Sequence, residues 1–136
     1  MEGMRRPCRS HCPIAYALDL FGDKWSLLVL RDLLLMGKRR YNEFLASEER
    51  ISTNILAERL KRMERAGLVT KSRDGNHQRQ YVYAPTRKSL GLLPVMVEII
   101  RWSAKHDPQT AAPASFVRRL RNDREDLLRD MIRQLM

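Results

Sequence analysis

The stretch ISTNILAERLKRMERAG, residues 51–67, decides the fold. Ser52 is suited to cap a helix amino terminus. Ile51 ahead of it can pack on Leu56 as a hydrophobic staple, and Gly67 is placed to stop the helix. At about 100° per residue, Leu56, Leu60 and Met63 share one face, and Thr53, Asn54, Ala57, Glu58, Lys61 and Arg65 share the other. The outward first turn is small and polar, with cations further along. DNA reading needs this: a slim helix end that enters a major groove, amides and hydroxyls for base edges, and Lys or Arg for phosphates. The free N–H groups of the helix start also attract phosphate.

The flanking sequence gives this helix its setting. Upstream lie a basic bridge, Lys38-Arg39-Arg40, a short helix over Tyr41–Ala46 with Tyr41, Phe44 and Leu45 inward, and a turn at Ser47–Arg50. Downstream, Leu68–Arg73 and Gln80–Ala84 read as strands around the turn residues Asp74-Gly75-Asn76, with Tyr81 and Tyr83 on one face. This order is a helix-turn-helix followed by a wing. The fold class is mainly α with a small β-hairpin.

Further out, Cys12-Pro13 opens a helix that ends at Gly22, with Cys12 at the N-cap. Asp23 caps a largely buried helix from Lys24 to about Met36, and Asp19, Asp23 and Asp32 read as capping and surface residues. Thr86 or Ser89 starts a helix that reaches about His106, with a kink or a later start expected at Pro94. That helix is apolar on two sides, so one side is expected to meet a partner. Residues 107–113 read as a linker, and Ser115 is expected to cap one last amphipathic helix. The expected organisation is a flexible arm over 1–11, a winged domain with dimerisation helices over 12–106, and a linker with a terminal helix over 107–136.

The chain has 136 residues, 43% hydrophobic and 31% charged, which suits a folded globule. Its net charge of +10 points to a polyanion. Most of the excess lies in residues 36–88, with 13 basic against 6 acidic side chains. No run of 18 apolar residues exists, so no membrane span is expected. Arginines near the start have no apolar stretch behind them, which argues against a secretory signal. Cys8 and Cys12 are too close to staple a scaffold, and a reducing cytoplasm is the default compartment. With His11 they make three candidate ligands on one short arm, too few for a closed zinc site, so neither metal nor cofactor is expected. No Gly-rich phosphate loop, no nucleophile with a base and no paired carboxylates suggest an enzyme.

Candidate DNA contacts are therefore Ser52, Thr53, Asn54, Ala57 and Lys61 on the helix, Arg39 and Arg40 on the bridge, and His77, Gln78 and Arg79 at the hairpin tip. A general basic nucleic-acid binder would explain the charge equally well, but not the lysine-sparse first turn. A protein-interaction module in which the winged motif only dimerises is a further alternative.

The chain resembles the HxlR-type winged helix-turn-helix regulators of bacteria. The likeness is carried by Cys12-Pro13-Ile14-Ala15, by Leu18-Asp19-Leu20-Phe21-Gly22-Asp23-Lys24-Trp25, and by Arg39-Arg40-Tyr41-Asn42-Glu43-Phe44. Ile51-Ser52-Thr53-Asn54-Ile55-Leu56 and Ala66-Gly67-Leu68-Val69 continue it, and the match spans about residues 8–106. The resemblance implies a homodimer formed largely by terminal helices, bound to a pseudo-palindromic operator and often repressing adjacent genes. It also implies that Cys12 is a candidate sensor of a small electrophile or oxidant, with Cys8 nearby. A thiol at a helix start beside Arg5, Arg6 and Arg9 is favoured as thiolate. The chain departs from the family pattern in three places. Glu49-Arg50 stands for a frequent Pro/Glu-Gly turn, Ser89 for the Gly of Thr-x-x-Gly, and His77-Gln78-Arg79-Gln80 for a Pro-Pro-Arg wing.

Overall fold

Pro13 and Asp23 start the first two helices of this computed structural model, α1 (Pro13–Phe21) and α2 (Lys24–Leu34). Residues 10–76 and 80–136 are described. Cys8 and the tip residues His77, Gln78 and Arg79 lie outside them. Pro13 occupies the first turn of α1, where its missing N–H costs nothing. Cys12 sits at the N-cap, but its sulfur makes no capping hydrogen bond there and is exposed. At α2 the Asp23 carboxylate accepts from Ser26 N at 3.0 Å. α2 stops two residues earlier than the sequence suggested, because Leu35 and Met36 both turn their N–H groups onto Arg31 O and Gly37 enters the left-handed region at φ +68°.

α3 (Tyr41–Leu45) and α4 (Thr53–Arg65) follow. The Glu43 carboxylate accepts from the N–H groups of Arg39 at 2.8 Å and Arg40 at 3.0 Å, which satisfies donors at the start of α3. Ser52 caps α4 by accepting from Ile55 N at 3.2 Å. Ile51 and Leu56 are both buried, as a staple requires. Gly67 ends the helix at φ +77°, a conformation that costs other residues about 1 kcal/mol.

The turn before α4 explains one departure from the family pattern. Arg50 has φ +62° and so occupies the left-handed position that a glycine would fill without strain. Arg50→Gly is expected to raise the unfolding free energy by about 0.5–1 kcal/mol, net of the extra entropy glycine brings to the unfolded chain. A urea titration that shows equal or lower stability would refute this assignment of strain.

The hairpin consists of β1 (Val69–Arg73) and β2 (Tyr81–Pro85), antiparallel, with Lys71 opposite Tyr83 and Arg73 opposite Tyr81. Burial fades along it. Val69 and Tyr83 are buried at the base, while Lys71, Arg73 and Tyr81 are exposed. Tyr83 packs edge-to-face on Phe44, ring centroids 6.2 Å apart, and its N–H donates to Arg39 O at 2.7 Å. Leu30, Leu33, Phe44, Leu56, Leu60, Met63 and Leu68 form the core beneath, each worth roughly 1.5–3 kcal/mol of burial.

After the hairpin comes α5 (Arg87–Leu90). Here the second departure is compensated. Ser89 is fully buried, its N–H donates to Thr86 Oγ1 at 3.1 Å, and its Oγ accepts from Thr86 N at 2.9 Å. The hydroxyl also donates to Thr86 O at 3.1 Å, so it adds two local bonds that a glycine at this position lacks. α6 (Leu93–His106) starts afresh with Pro94 in its first turn, so the proline delays the helix rather than kinking it.

The chain divides into two compact units, one running to Ser89 and one from Leu90. In the second unit the last helix is broken, contrary to the single helix expected from Ser115. α7 (Ala114–Asn122) and α8 (Arg124–Leu135) meet at Asp123, whose φ of −149° is not helical. Asn122 and Asp123 compete for backbone bonds and favour helix ends, and Glu125 and Asp126 suit the first turn of a new helix. Pro113, not Ser115, occupies the N-cap of α7. Leu120, Leu127 and Leu128 are buried, and Arg119 ties the two helices by pairing with Asp126 at 2.9 Å and with Asp130. Arg124 Nε donates to Glu98 of α6 at 3.0 Å. Among the described residues, no helix is long and apolar enough to cross a membrane.

Candidate nucleic-acid interface

α4 presents Ser52, Thr53, Asn54, Ala57 and Lys61 to solvent, all exposed, while Leu56, Leu60 and Met63 are buried on its other side. Four of the ten sequence-predicted contacts, Thr53, Asn54, Ala57 and Lys61, share one face of the helix, and Ser52 stands at its capping end. Among the described residues, the Asn54 amide and the Lys61 ammonium have no hydrogen-bond partner. The start of this face is held from behind. Tyr41 Oη donates to Thr53 O at 3.1 Å and ties α3 to the first turn of α4.

The middle of α4 is held by a carboxylate that the sequence reading treated only as a cap. Asp23 accepts from Arg59 Nε at 2.8 Å and from Arg62 Nη2 at 3.1 Å, while still capping α2. Arg62 also reaches Ser26 Oγ at 3.3 Å. Arg59 pairs with Glu58 beside it as well. Asp23 and Arg59 are 36 residues apart, and nothing in the local pattern joins them.

A second network fixes the approach to α4. Asp32, read as a surface residue, is buried at 2% exposure. It accepts from Arg31 Nε at 3.0 Å, Arg31 Nη2 at 2.8 Å and Lys38 Nζ at 3.1 Å. Arg31 also grips Glu49 with two bonds, 2.7 and 2.9 Å, and so ties α2 to the turn that precedes α4. Apolar spacing gives no sign of this, because whether a charge can be buried depends on the side chains that turn onto it, here Arg31 beside it and Lys38 beyond the helix.

Arg39 and Arg40 both use their side chains within the protein. Arg39 Nη1 donates to Leu33 O at 3.1 Å and Lys38 O at 2.9 Å. Arg40 pairs with Asp74 and donates to Gln80 Oε1 at 2.7 Å. At the exposed outer end of the hairpin, the Lys71 ammonium lies 4.1 Å and the Arg73 guanidinium 5.1 Å from the Tyr81 ring centre. Both cations thus sit on an aromatic shelf.

Two carboxylates titrate far below their ordinary range. Burial opposes ionisation of Asp23, but hydrogen bonds to Ser26 and Arg59, with the charge of Arg59, outweigh it and bring its pKa to about 2. The Arg31 fork brings Glu49 to about 2 against a smaller opposing effect of burial. Both pKa values are depressed by folding, so their stabilisation is full above the unfolded values near pH 4 and disappears as pH falls towards 2. Urea midpoints should be level above about pH 5 and drop steadily from about pH 4 to pH 2.5. Asp23→Asn should flatten that drop, and an unchanged acid slope in this variant would contradict the role given to Asp23.

Comparison with known proteins bears on the same segments. The profile of HxlR-like helix-turn-helix proteins matches residues 20–111. A protein of Synechocystis sp. named as an HTH-type transcriptional regulator is 33% identical over 86 residues. That match takes in 63% of this chain and 63% of the relative, so it spans just under two thirds of the relative's length. The crystal structure of PA1607, a candidate transcription factor, superposes with a TM-score of 0.69 at 31% identity, covering 77% of this chain and 73% of that one. The reduced form of the transcriptional regulator YodB from Bacillus subtilis superposes with a TM-score of 0.60 at 28% identity, covering 74% of this chain and all of YodB. YodB is also known in a diamide-treated and a quinone-bound form.

Proposed function

This chain belongs to the HxlR-like helix-turn-helix family of transcriptional regulators, and from that premise we propose that it binds a pseudo-palindromic operator as a homodimer and represses from it. The observation that carries the reading is the exposed, lysine-sparse first turn of α4, braced by Tyr41, on a helix whose middle Asp23 holds. In a dimer, two such helices about 34 Å apart enter successive major grooves on one face of the DNA. Ser52, Thr53, Asn54 and Ala57 form the base-reading end. Lys61 and the hairpin tip His77, Gln78 and Arg79 supply contacts along the backbone, while the bridge residues Arg39 and Arg40, whose side chains are engaged within the fold, support the interface from behind. Two apolar surfaces support dimerisation: α1 exposes Ile14, Tyr16 and Leu18, and α6 exposes Val95, Ile99 and Trp102. Such surfaces on regulators are commonly closed by a second copy.

Cys12 completes the proposal. Its thiol is exposed at the start of α1, next to the apolar residues offered for dimerisation. Oxidation to a sulfenic acid, or two Cys12 thiols joined across the dimer as a disulfide, would alter how the two recognition helices are spaced. The quinone-bound and diamide-treated forms of YodB support this reading.

The test is fluorescence anisotropy with the DNA upstream of the gene and with a scrambled duplex, reduced and then oxidised. Asn54→Ala should lose about 1–3 kcal/mol of discrimination between the two duplexes and leave the salt slope intact. Lys61→Ala should weaken both alike and make the slope shallower by about 0.9. Equal loss on both duplexes from both variants would reject this division of labour. Any response to oxidant should vanish in Cys12→Ser, and a response that persists there would remove Cys12 from the mechanism.

A further inference from the structure

By charge and position Arg40 reads as a phosphate clamp, yet its guanidinium is used inside the fold. Nη1 donates to Gln80 Oε1 at 2.7 Å, and Nη2 pairs with Asp74. Asp74 is only 7% exposed, although it follows a strand whose last residues are open to solvent. Its carboxylate also accepts from Asn76 N at 2.9 Å, and its own N–H donates to Gln80 O at 2.9 Å. One guanidinium therefore holds both ends of the segment that joins β1 to β2. At its other end, Arg40 is fixed through its backbone. Its N–H donates to Glu43, and the carbonyl of neighbouring Arg39 takes the N–H of Tyr83.

We propose that Arg40 is a positioning residue that pins the outer part of the hairpin to the start of α3, through Asp74 and Gln80, and so holds the outer ends of β1 and β2 in place before DNA arrives. The inference rests on the reading of α4 and the hairpin as the DNA interface. A two-stranded ribbon alone is only marginally ordered in water. Pinning it before DNA arrives removes an ordering cost that binding would otherwise bear. The pin needs a planar fork that reaches a carboxylate and an amide oxygen together, which lysine's single ammonium does not provide.

The proposal predicts an effect opposite in sign to simple electrostatics. Asp74→Asn takes away a negative charge, which by counterion release alone tightens DNA binding. If Asp74 is the pin's anchor, the same variant weakens binding to the preferred duplex by about tenfold through lost preorganisation. Arg40→Lys keeps the charge, so a phosphate clamp tolerates it, whereas the pin loses about tenfold. The double variant should be no weaker than the weaker single variant, since both changes break one connection.

The experiment is anisotropy on the preferred duplex across a salt series, with hydrogen exchange measured on the DNA-free full chain. The expected result is weaker binding by both single variants, with a salt slope as steep as the original for Asp74→Asn, and faster exchange of the Asp74 and Asn76 amides in both. Unfolding of Asp74→Asn in a urea titration would leave Arg40→Lys to decide the matter. Binding by Arg40→Lys equal to the original protein, or unchanged exchange at both amides, would overturn the pin. If the original protein prefers no duplex, the functional reading falls, and the exchange measurement still decides whether Arg40 holds the hairpin.

Discussion

Leu56→Ala is expected to lower the unfolding free energy by about 3 kcal/mol, within the roughly 2–5 kcal/mol typical of buried leucine truncations. Leu56 has no exposed surface and lies in the first turn of α4, on the buried side of the helix opposite Asn54 and Lys61, and the staple residue Ile51 is buried as well. The truncation removes the transfer energy of the lost carbons and leaves a cavity that rigid neighbours cannot fully close. Marginal stability, typically about 5–15 kcal/mol, makes this a large share of the total. The midpoint in urea should fall with no change in slope, and DNA affinity of the folded fraction should stay near normal. A loss under about 1 kcal/mol would mean that the site collapses around the smaller side chain or that Leu56 is not enclosed.

Asp32→Ala is expected to cost about 2–3 kcal/mol, because it leaves two cations without the buried carboxylate they share. The figure sits below that for a wholly enclosed pair, since the Arg31 and Lys38 side chains are each 20% exposed and regain water. Arg31 also keeps its fork on Glu49. The functional consequence lies in the segment that follows. Lys38 Nζ donates to the Asp32 carboxylate and Lys38 N to the Asp32 main-chain oxygen, so losing the carboxylate frees the Lys38 side chain at the start of the basic bridge and leaves the main-chain bond in place. Urea titration of Asp32→Ala beside Asp32→Asn checks this. The amide keeps the shape and one acceptor, so it should cost less than alanine. Equal stability of Asp32→Ala and the original chain would show that the network contributes only specificity.

The course of the chain was legible because each boundary is set by local chemistry. Ser52 caps α4, Gly67 ends it, and Pro94 marks the first turn of α6, each through the backbone geometry its own side chain permits. The terminal helix was misread for a related reason. Its apolar spacing continues through Asp123, while the break depends on one Asn-Asp pair and on two helices that bury Leu120 and Leu127 and are tied by Arg119. Periodicity reports which face is apolar, not whether the backbone stays straight between two apolar residues. Arg50 shows the limit from the other side, since an arginine carries no sign that the turn forces it to a positive φ.

At the interface the division follows the same physics. The exposed face of α4, with Thr53, Asn54 and Lys61, follows from helical spacing and capping alone, because residues on one helix have fixed angular relations. The elements, their order and the net charge of +10 were likewise set by residue type and near neighbours. Tertiary structure alone decided the partners of Arg31 and Arg40 and what Asp23 does beyond its cap. Asp23 meets Arg59, Arg31 meets Glu49, and Arg40 meets Asp74 across separations of 36, 18 and 34 residues. A charged side chain carries no pattern that names its partner. Ion pairs at such separations are chosen by how the backbone packs, and only the packed molecule sets which guanidinium reaches which carboxylate.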